Sequence, residues 1–184
     1  MLKYVSQSYP VQWVVNTARV YYYPWVYNGE WEADEIVPDE IWLGDLASAH
    51  NRDKLKELGI THIVSAVYDV NPLFPEDFQY LTVKIVDHPS EKKRIREAFT
   101  DAINFIASAL NPGSTSENPN PKKGKVFIHC AYGVSRSSTL LAAYLMHMRG
   151  MGVSGAIKYI KQKRPQVQPN VGFLAALDLH ASTY

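Results

Sequence analysis

Cys130 and Arg136 are the residues of this sequence whose chemistry combines most directly, since only a short turn separates them. A cysteine is a nucleophile in its thiolate form, and a nearby guanidinium stabilises that negative charge. The same guanidinium can bind two oxygens of a phosphate group at once, which the ammonium group of lysine cannot do. The pair therefore predicts a site where a thiolate meets a phosphate.

The sequence around this pair predicts the elements that hold it in place. Residues 125–128 have the apolar, β-type pattern of a buried strand, and residues 137–149 have the pattern of a helix. Backbone N–H groups of a turn between a strand and a helix converge at the positive end of the helix, where phosphate is the usual ligand. Cys130 begins this turn and Arg136 ends it. We call residues 130–136 the Cys130 loop.

Two serines next to Arg136 add hydroxyl donors to the predicted site. Ser135 and Ser137 can each donate a hydrogen bond to a bound ligand. Ser137, at the start of the helix, is expected to stabilise Cys130 as a leaving thiolate when a covalent intermediate breaks down. The alternative is that both serines only cap the helix.

Cys130 is the only cysteine among 184 residues, so neither an intrachain disulfide nor a cysteine zinc cluster can form. A lone cysteine is most often a small buried hydrophobe. That alternative predicts apolar neighbours, whereas Cys130 lies between His129 and a turn that contains glycine, serine and arginine. The sequence favours a reactive thiol.

The composition is that of one globular domain with a hydrophobic core, since 46% of the residues are hydrophobic and 20% are charged. The formal net charge is +1, so no overall positive field draws the chain to nucleic acid or to anionic membranes. No apolar run is long enough for a membrane span, and the N-terminus lacks the pattern of a signal peptide. We expect a cytoplasmic or nuclear location.

Residues 1–33 are predicted to be an aromatic-rich extension, ahead of a main domain at 34–184. In one interpretation its aromatic side chains cover apolar surface of the main domain, and this interpretation is favoured. In the other they form a wall of the substrate cleft or a patch for a partner. Its aromatic residues include Trp13, Tyr21, Tyr22, Tyr23, Trp25, Tyr27 and Trp31.

Strand and helix patterns alternate through the middle of the main domain, and helices cluster at its end. Strands are predicted at 60–67, 80–86 and 125–128, with one or two more within 35–44. Helices are predicted at 48–58, from about 95 to 110, and at 137–149, 154–163 and 171–181. Ser48 is the expected N-cap of the first helix and Gly59 its C-terminal stop. This order predicts an α/β fold with a central, mainly parallel sheet of about five strands flanked by helices.

Together, these residues resemble the cysteine-dependent protein phosphatases, and specifically the dual-specificity group, with a catalytic domain similar to that of MAP kinase phosphatases. The loop carries the pattern of His-Cys, five residues and Arg-Ser. Further motifs follow one another along residues 35–180: Ile41-Trp42-Leu43-Gly44 with Asn51, residues 58–64, Val86-Asp87-His88, Ala143-Tyr144-Leu145-Met146, and Arg164-Pro165 through Pro169-Asn170 to Phe173-Leu174. The resemblance implies a protein tyrosine phosphatase-like fold at 34–184.

The family mechanism, carried over by this resemblance, makes Cys130 the nucleophile that takes the phosphoryl group. Arg136 and the loop amides would bind the phosphoryl oxygens and neutralise their charge, so no metal ion and no cofactor is expected. The loop residues concerned are Ala131, Tyr132, Gly133, Val134, Ser135 and Arg136.

A general acid must protonate the leaving oxygen, and the sequence by itself offers Asp69, Asp77, Asp87 and Asp101. Asp87 ends a predicted strand and opens a loop, a position from which a side chain reaches a cleft at the carboxyl edge of a sheet. The family places its acid in the corresponding Asp-His stretch. The resemblance therefore implies Asp87, which would also deprotonate the attacking water in the second step.

His129 and Asn170 are expected to support the loop. His129 precedes Cys130 in the predicted strand, and neighbouring strand residues point to opposite faces, so its ring is not expected to touch the thiol. By the resemblance, His129 supports the loop and tunes the cysteine, and Asn170 braces the loop. Both would act through other residues.

The expected partner is a phosphoprotein. The residues inside the loop carry no extra cations, which disfavours a phosphoinositide, because related lipid phosphatases commonly have Lys or Arg there. No segment resembles the wall that makes classical tyrosine phosphatases deep, which implies a shallow site open to phosphoserine, phosphothreonine and phosphotyrosine. The chain also lacks room for the kinase-docking domain of MAP kinase phosphatases, so it resembles a small, atypical member. The sequence makes no prediction of the oligomeric state.

Three other functions stay open at this point, and a phosphoinositide phosphatase of the same fold is one of them. Some similar domains are RNA 5′-phosphatases, and the basic run of Lys92, Lys93, Arg94 and Arg96 would suit RNA, although such a run is more often a solvated helix face. The other alternative is a phosphopeptide-binding pseudophosphatase. The joint presence of Cys130, Arg136 and Asp87 disfavours it.

Overall fold

Five short strands form a single sheet in the computed structural model, which describes residues 31–114 and 121–182. The strands are β1 (Asp34–Val37), β2 (Ile41–Gly44), β3 (His62–Ser65), β4 (Gln79–Thr82) and β5 (Val126–His129). Their order in the sheet is β1-β2-β5-β3-β4, with β1 antiparallel to β2 and every other neighbouring pair parallel. The predicted α/β fold with a mainly parallel sheet is confirmed.

Helices cover both faces of this sheet, as a mostly parallel sheet requires. They are α1 (Leu46–His50), α2 (Arg52–Glu57), α3 (Lys92–Glu97), α4 (Phe99–Leu110), α5 (Arg136–Arg149), α6 (Val153–Lys163) and α7 (Val171–Ala181). A 3₁₀ turn at Pro89–Glu91 precedes α3. In the part of the chain that the structure describes, no helix is long and apolar enough to cross a membrane.

The central strand β5 is buried along its whole length, and its side chains alternate between two apolar clusters. Val126 and Ile128 pack in the cluster that contains residues of α4, α5, α6 and α7. Phe127 packs in the other cluster, with residues of α1 and α2. The strand is therefore apolar throughout because both of its faces are covered.

The helix predicted at 48–58 is two helices in the structure, so Ser48 as its N-cap is wrong. The Asp45 side chain accepts a hydrogen bond from the Ser48 N–H (2.9 Å) and caps α1, which already contains Ser48. The Asn51 side chain accepts from the Lys54 N–H (3.0 Å) and starts α2. Gly59 has a φ of +74°, so its predicted role as the C-terminal stop is confirmed.

The strand predicted at 80–86 is shorter in the structure and ends at Thr82. Its partner β3 ends at Ser65, whose carbonyl accepts one last hydrogen bond from the Val83 N–H (2.8 Å). Residues beyond Val83 have no strand to pair with, although Ile85 and Val86 are buried. Asp87 therefore follows an extended buried segment and not the strand itself.

The helix predicted from about 95 to 110 is likewise divided, into α3 and α4. Ala98 ends α3, where its N–H contacts the carbonyls of both Arg94 and Ile95 at 3.2 Å. The apolar spacing of Ile95, Phe99 and Ile103 continues across this break, and all three side chains are buried. The apolar spacing in the sequence therefore does not predict the break between α3 and α4.

Of the predicted aromatic extension, the structure describes only its last residues. Trp31 packs against Trp42 and Phe127, with ring centroids 6.5 and 5.9 Å apart. The favoured interpretation, aromatic side chains on apolar surface, is confirmed for this one residue. The other aromatic residues named above, Trp13, Tyr21, Tyr22, Tyr23, Trp25 and Tyr27, lie outside the described residues.

Candidate active site

The Cys130 loop lies at the carboxyl edge of the sheet, between the end of β5 and the start of α5. Gly133 has a φ of +64°, a backbone conformation that other residues rarely adopt. A Cβ atom there would also lie 2.5 Å from the carbonyl oxygen of Gly44, at the end of β2. Glycine is required at this position because the loop is pressed against the neighbouring strand.

Cys130 is buried, and its sulfur is hydrogen-bonded by Ser137. The Ser137 Oγ donates to Cys130 Sγ over 3.2 Å. Burial by itself raises the pKa of the thiol, but the charge of Arg136 and hydrogen bonds from the Ser137 side chain and backbone N–H outweigh it. The net effect is a pKa of Cys130 below its usual value, which favours the thiolate.

Arg136 is fully buried at the first position of α5, yet most of its donors are not used by the protein. Its Nη1 lies 3.4 Å from the Ile85 carbonyl oxygen, at the limit of a hydrogen bond. Its Nε and Nη2 have no hydrogen-bond partner among the described residues. Buried N–H groups without an acceptor are costly, so this guanidinium is suited to an anionic ligand that supplies the acceptors.

Asp87 lies in the segment after β4, and its side chain points towards the Arg136 guanidinium. Its Oδ2 lies 3.8 Å from Arg136 Nε. Its Oδ1 accepts hydrogen bonds from Ser135 Oγ (2.8 Å) and Asn170 Nδ2 (2.9 Å). The structure thus brings together four of the residues predicted from the sequence.

Asn170 connects the start of α7 to the Cys130 loop. Its side-chain oxygen accepts from the Phe173 N–H (3.0 Å) and caps the helix. Its own backbone N–H lies 3.2 Å from Ser135 Oγ, so the residue contacts both Ser135 and Asp87. The structure thus places Asn170 in contact with the loop, and its bracing role stays a prediction.

His129 lies on the side of the sheet opposite to the cluster that contains Cys130. Its ring stacks on Phe127 at a centroid distance of 5.6 Å and an interplanar angle of 14°. The pKa of His129 is lowered to about 3, mainly because the ring is buried. A backbone hydrogen bond with Cys130 raises this pKa, and the charges of His50 and Arg136 lower it further. The ring is therefore neutral near pH 7, so it adds no positive charge to that of Arg136.

Arg164 is a residue of this site that the sequence did not single out by its chemistry. It is buried at the end of α6, and its Nε donates to the carbonyl oxygen of Gly133 (2.9 Å). Its Nη2 lies 3.3 Å from the carbonyl oxygen of Tyr132. The available signal was a lone arginine before Pro165, which is also the pattern of an ordinary helix end.

The other aspartates considered from the sequence have different surroundings. Asp77 accepts hydrogen bonds from Arg52 Nε (2.5 Å) and Lys56 Nζ (2.7 Å) at the surface. Asp69 lies in an exposed turn, and Asp101 is exposed in the first turn of α4. Asp87 is the one of the four that pairs with Arg136.

The basic run after Asp87 forms part of α3. Within it, Arg94 pairs with Glu91 (3.1 Å) and Lys93 with Glu97 (3.8 Å). Lys92, Lys93 and Arg96 line an open pocket of about 450 Å³ together with Glu97, Thr100, Leu179 and His180. Local acidic partners therefore offset part of this positive charge.

Known proteins share both the sequence pattern and the fold. The sequence profile described as "Dual specificity phosphatase, catalytic domain" matches residues 41–182. The chain is 35% identical over 148 residues to "Dual specificity protein phosphatase 1" of Arabidopsis thaliana, which covers 80% of this chain and 69% of that one. It is 40% identical over 139 residues to "MAP kinase phosphatase with leucine-rich repeats protein 3" of Dictyostelium discoideum, covering 76% of this chain and 15% of that longer protein.

Among solved structures, the human "tyrosine phosphatase-like serine/threonine/tyrosine-interacting protein" superposes with a TM-score of 0.72 at 31% identity. The match covers 84% of this chain and 99% of that one. We conclude that the chain belongs to the dual-specificity phosphatase family and is a phosphatase.

Proposed function

We propose that this phosphatase hydrolyses phosphotyrosine, phosphoserine and phosphothreonine in proteins through a cysteinyl-phosphate intermediate at Cys130. The observation that carries the proposal is the state of Arg136, a buried guanidinium whose Nε and Nη2 lack a protein acceptor. Beside it lies a thiol with a lowered pKa. A phosphate monoester supplies the missing acceptors and, in its phosphorus atom, the electrophile for the thiolate.

In the first step, the Cys130 thiolate attacks phosphorus, an S–P bond forms, and the bond from phosphorus to the ester oxygen breaks. Arg136 and the loop N–H groups hold the phosphoryl oxygens as negative charge shifts among them. Asp87, in its protonated form, gives its proton to the leaving oxygen. The dephosphorylated side chain departs as a neutral alcohol or phenol.

In the second step, water attacks the phosphorus of the cysteinyl phosphate. Asp87 accepts a proton from that water, the O–P bond forms, and the S–P bond breaks. Ser137 Oγ, which contacts Sγ at 3.2 Å, stabilises the departing thiolate. The products are inorganic phosphate and the free enzyme, so the cycle needs no cofactor.

The contacts of Asp87 support its role as the acid and base. Ser135 and Asn170 both bond its Oδ1, which leaves Oδ2 as the oxygen nearer to Arg136. A phosphate bound to the guanidinium would therefore lie next to this carboxyl, within reach for proton transfer to the leaving oxygen.

The proposed substrate class rests on the loop interior and on the relatives. Ala131, Tyr132, Gly133 and Val134 add no cation that would hold a second phosphate of a phosphoinositide. Proteins named dual-specificity and MAP kinase phosphatases are 35% and 40% identical to this chain.

We assign residues 34–184 to the catalytic domain, with 1–33 as its extension. We also propose that the enzyme is located in the cytoplasm or nucleus.

Turnover of para-nitrophenyl phosphate by the wild type and by two variants tests the mechanism. Cys130→Ser should lower kcat by 10³-fold or more, on the order of what loss of a catalytic nucleophile costs. Asp87→Ala should lower it by roughly 10²–10⁴-fold. Asp101→Asn, at an exposed position of α4, is the control and should match the wild type.

The rate of the wild type should be bell-shaped in pH, rising as the thiolate forms and falling as Asp87 loses its proton. Equal turnover by Cys130→Ser and the wild type would refute the covalent mechanism. A profile that is flat on its acidic side would show that the ionisation of Cys130 does not limit the rate.

A panel of phosphorylated ligands distinguishes the substrate classes, with Cys130→Ser as a trap. Phosphopeptides should bind the trap, and the wild type should hydrolyse them. Preference for RNA 5′ ends with a steep salt dependence would point instead to the basic pocket beside α3 and to an RNA phosphatase. Preference for phosphoinositides would point to a lipid phosphatase, and tight phosphopeptide binding without turnover by the wild type to a pseudophosphatase.

A further inference from the structure

We infer that Arg164 is a positioning residue that fixes two peptide groups at the apex of the Cys130 loop, so that their N–H groups point towards the bound phosphate. This inference rests on the proposed function, since it concerns how the loop binds the phosphoryl group. It adds Arg164, the residue that follows α6, to a site otherwise built from the segment after β4, the loop, α5 and the start of α7.

The contacts of Arg164 are all with groups outside the phosphate-binding side of the loop. Nε donates to the Gly133 carbonyl oxygen over 2.9 Å, and Nη2 lies 3.3 Å from the Tyr132 carbonyl oxygen. The side chain is 2% exposed, so water does not compete effectively for these carbonyls. One rigid guanidinium therefore holds two successive carbonyl groups.

Peptide planarity turns this contact into control of the N–H groups. In a trans peptide the carbonyl of one residue and the N–H of the next point in opposite directions, and the described residues contain no cis peptide. Fixing the carbonyls of Tyr132 and Gly133 outwards therefore fixes the N–H groups of Gly133 and Val134 inwards. These are the donors that a phosphate in the loop requires.

The same outward pattern continues on both sides of the apex, with other donors. The Ala131 carbonyl accepts from the Leu46 N–H (3.4 Å), and the Val134 carbonyl accepts from the Gln168 N–H (2.9 Å). Both of these donors belong to the backbone, and the Val134 carbonyl also accepts from Ser138 Oγ (2.6 Å). At the apex the donor is a side chain, which makes the orientation of these peptides dependent on Arg164.

The start of β1 and the residues just before it hold Arg164 itself in place. Its Nη1 donates to the Glu32 carbonyl oxygen (2.8 Å) and to Asp34 Oδ2 (2.6 Å). A Cβ atom added at Gly133 would lie 2.7 Å from Arg164 Nη2, so the guanidinium and the loop are in close contact. A displacement of Arg164 would therefore reach the loop directly.

Arg164→Lys tests the inference, because it keeps the positive charge and removes the planar fork. The control is Arg149→Lys, at the exposed end of α5. Two measurements need no turnover: the affinity for inorganic phosphate by calorimetry, and the pH dependence of alkylation by iodoacetamide. Cys130 is the only cysteine of the chain, so alkylation reports on it alone.

For Arg164→Lys we expect phosphate to bind about 10-fold more weakly and the alkylation midpoint to rise by about half a pH unit or more, since lost alignment weakens charge-assisted hydrogen bonds. In turnover of para-nitrophenyl phosphate, kcat should fall by about 10–100-fold, more than KM changes. Arg149→Lys should leave all of these unchanged.

An Arg164→Lys protein that is less stable but binds phosphate, is alkylated and turns over as the wild type does would overturn the inference. If this variant does not fold, Asp34→Ala takes its place, because it leaves Arg164 bonded to Glu32. It should weaken phosphate binding by about 3-fold, and an unchanged affinity would equally overturn the inference. A wild type that binds phosphate without hydrolysing esters would refute the proposed function alone.

Discussion

Arg136 and Arg164 are the two largest side chains that are fully buried in the described part of the chain, and the protein treats them in opposite ways. Every nitrogen of the Arg164 guanidinium has an acceptor: two loop carbonyls, the Glu32 carbonyl and the Asp34 carboxylate. Arg136, on the inner side of the same loop, has two nitrogens with none. The protein supplies acceptors for the whole Arg164 guanidinium, whereas two nitrogens of Arg136 stay available to an acceptor from outside the protein.

The difference shows how a buried charge can be interpreted in this fold. Burying a charge costs several kcal/mol unless hydrogen bonds and an opposite charge compensate. Arg164 meets that requirement within the protein. Arg136 meets it only in part, through Asp87 at 3.8 Å and the Ile85 carbonyl at 3.4 Å. In the proposed function, a bound phosphate supplies the missing acceptors.

The largest expected effect is a separation of function from stability at these two positions. Arg136→Gln should lower kcat/KM for para-nitrophenyl phosphate by at least about 10³-fold, because the bidentate contact to the phosphoryl group is lost. Its free energy of unfolding should stay within about 0.5 kcal/mol of the wild type or rise, because few protein contacts are removed. Chemical denaturation and steady-state kinetics measure the two quantities.

Arg164→Gln is the matched variant for this comparison. It leaves the Asp34 carboxylate and three carbonyl oxygens without a guanidinium, so the free energy of unfolding should fall by about 3 kcal/mol. If Arg136→Gln were destabilised as much as Arg164→Gln, the two buried arginines would not differ in role. The comparison would then fail.

The sequence predicted the parts of this site that depend on neighbours along the chain. The order of β5, the Cys130 loop and α5 follows from an apolar run, a turn and a helical pattern within some twenty residues. Asp87 lies next to the loop, although the strand before it ends four residues earlier than predicted because β3 offers no further partner. That limit depends on a different strand, which local patterns do not contain.

Arg164 and the first helical region show what local patterns cannot supply. Arg164 contacts Tyr132 and Gly133, more than thirty residues away, and Asp34, 130 residues away. A long-range contact of this kind leaves no periodicity in the sequence. The division at Asn51 was missed for another reason, since an asparagine N-cap inside a helical pattern also fits a solvated helix position.

The ring of His129 is a third buried nitrogen-containing group, and its burial affects the stability of the protein at low pH. Because burial lowers its pKa from the usual 6.5 to about 3, His129 binds a proton more readily in the unfolded chain. Its contribution to stability is complete above pH 6.5 and is lost as the pH falls towards 3. Between pH 7 and 4.5, the titration of His129 should lower the free energy of unfolding of the wild type by roughly 2–3 kcal/mol.

His129→Gln removes this titration, and urea denaturation at the two pH values measures the result. The variant should be somewhat less stable at pH 7, because the ring that stacks on Phe127 is lost. Its loss of stability on going to pH 4.5 should be smaller than that of the wild type by the same roughly 2–3 kcal/mol. An equal loss in both proteins would mean that His129 can take up a proton in the folded state.

The smallest effect concerns Ser137, whose hydroxyl contacts the sulfur that Arg136 stabilises by charge. Ser137→Ala should raise the midpoint of Cys130 alkylation by about one pH unit and lower kcat by about 10-fold, because a hydrogen bond to a charged group is lost. The effect should be limited because the Ser137 backbone N–H still bonds the sulfur. Ser108→Ala, at an exposed position of α4, is the matched control.

The step that slows in Ser137→Ala separates its role from that of Arg136. If the hydroxyl stabilises the leaving thiolate, hydrolysis of the cysteinyl phosphate should become rate-limiting, and a burst of para-nitrophenol should precede the steady state. Arg136→Gln, which weakens both steps, should show no burst. Ser137→Thr, which keeps a hydroxyl, should recover most of kcat. A Ser137→Ala variant without a burst and with an unchanged alkylation midpoint would assign Ser137 to the packing of α5, and the thiolate would then depend on Arg136 and the backbone alone.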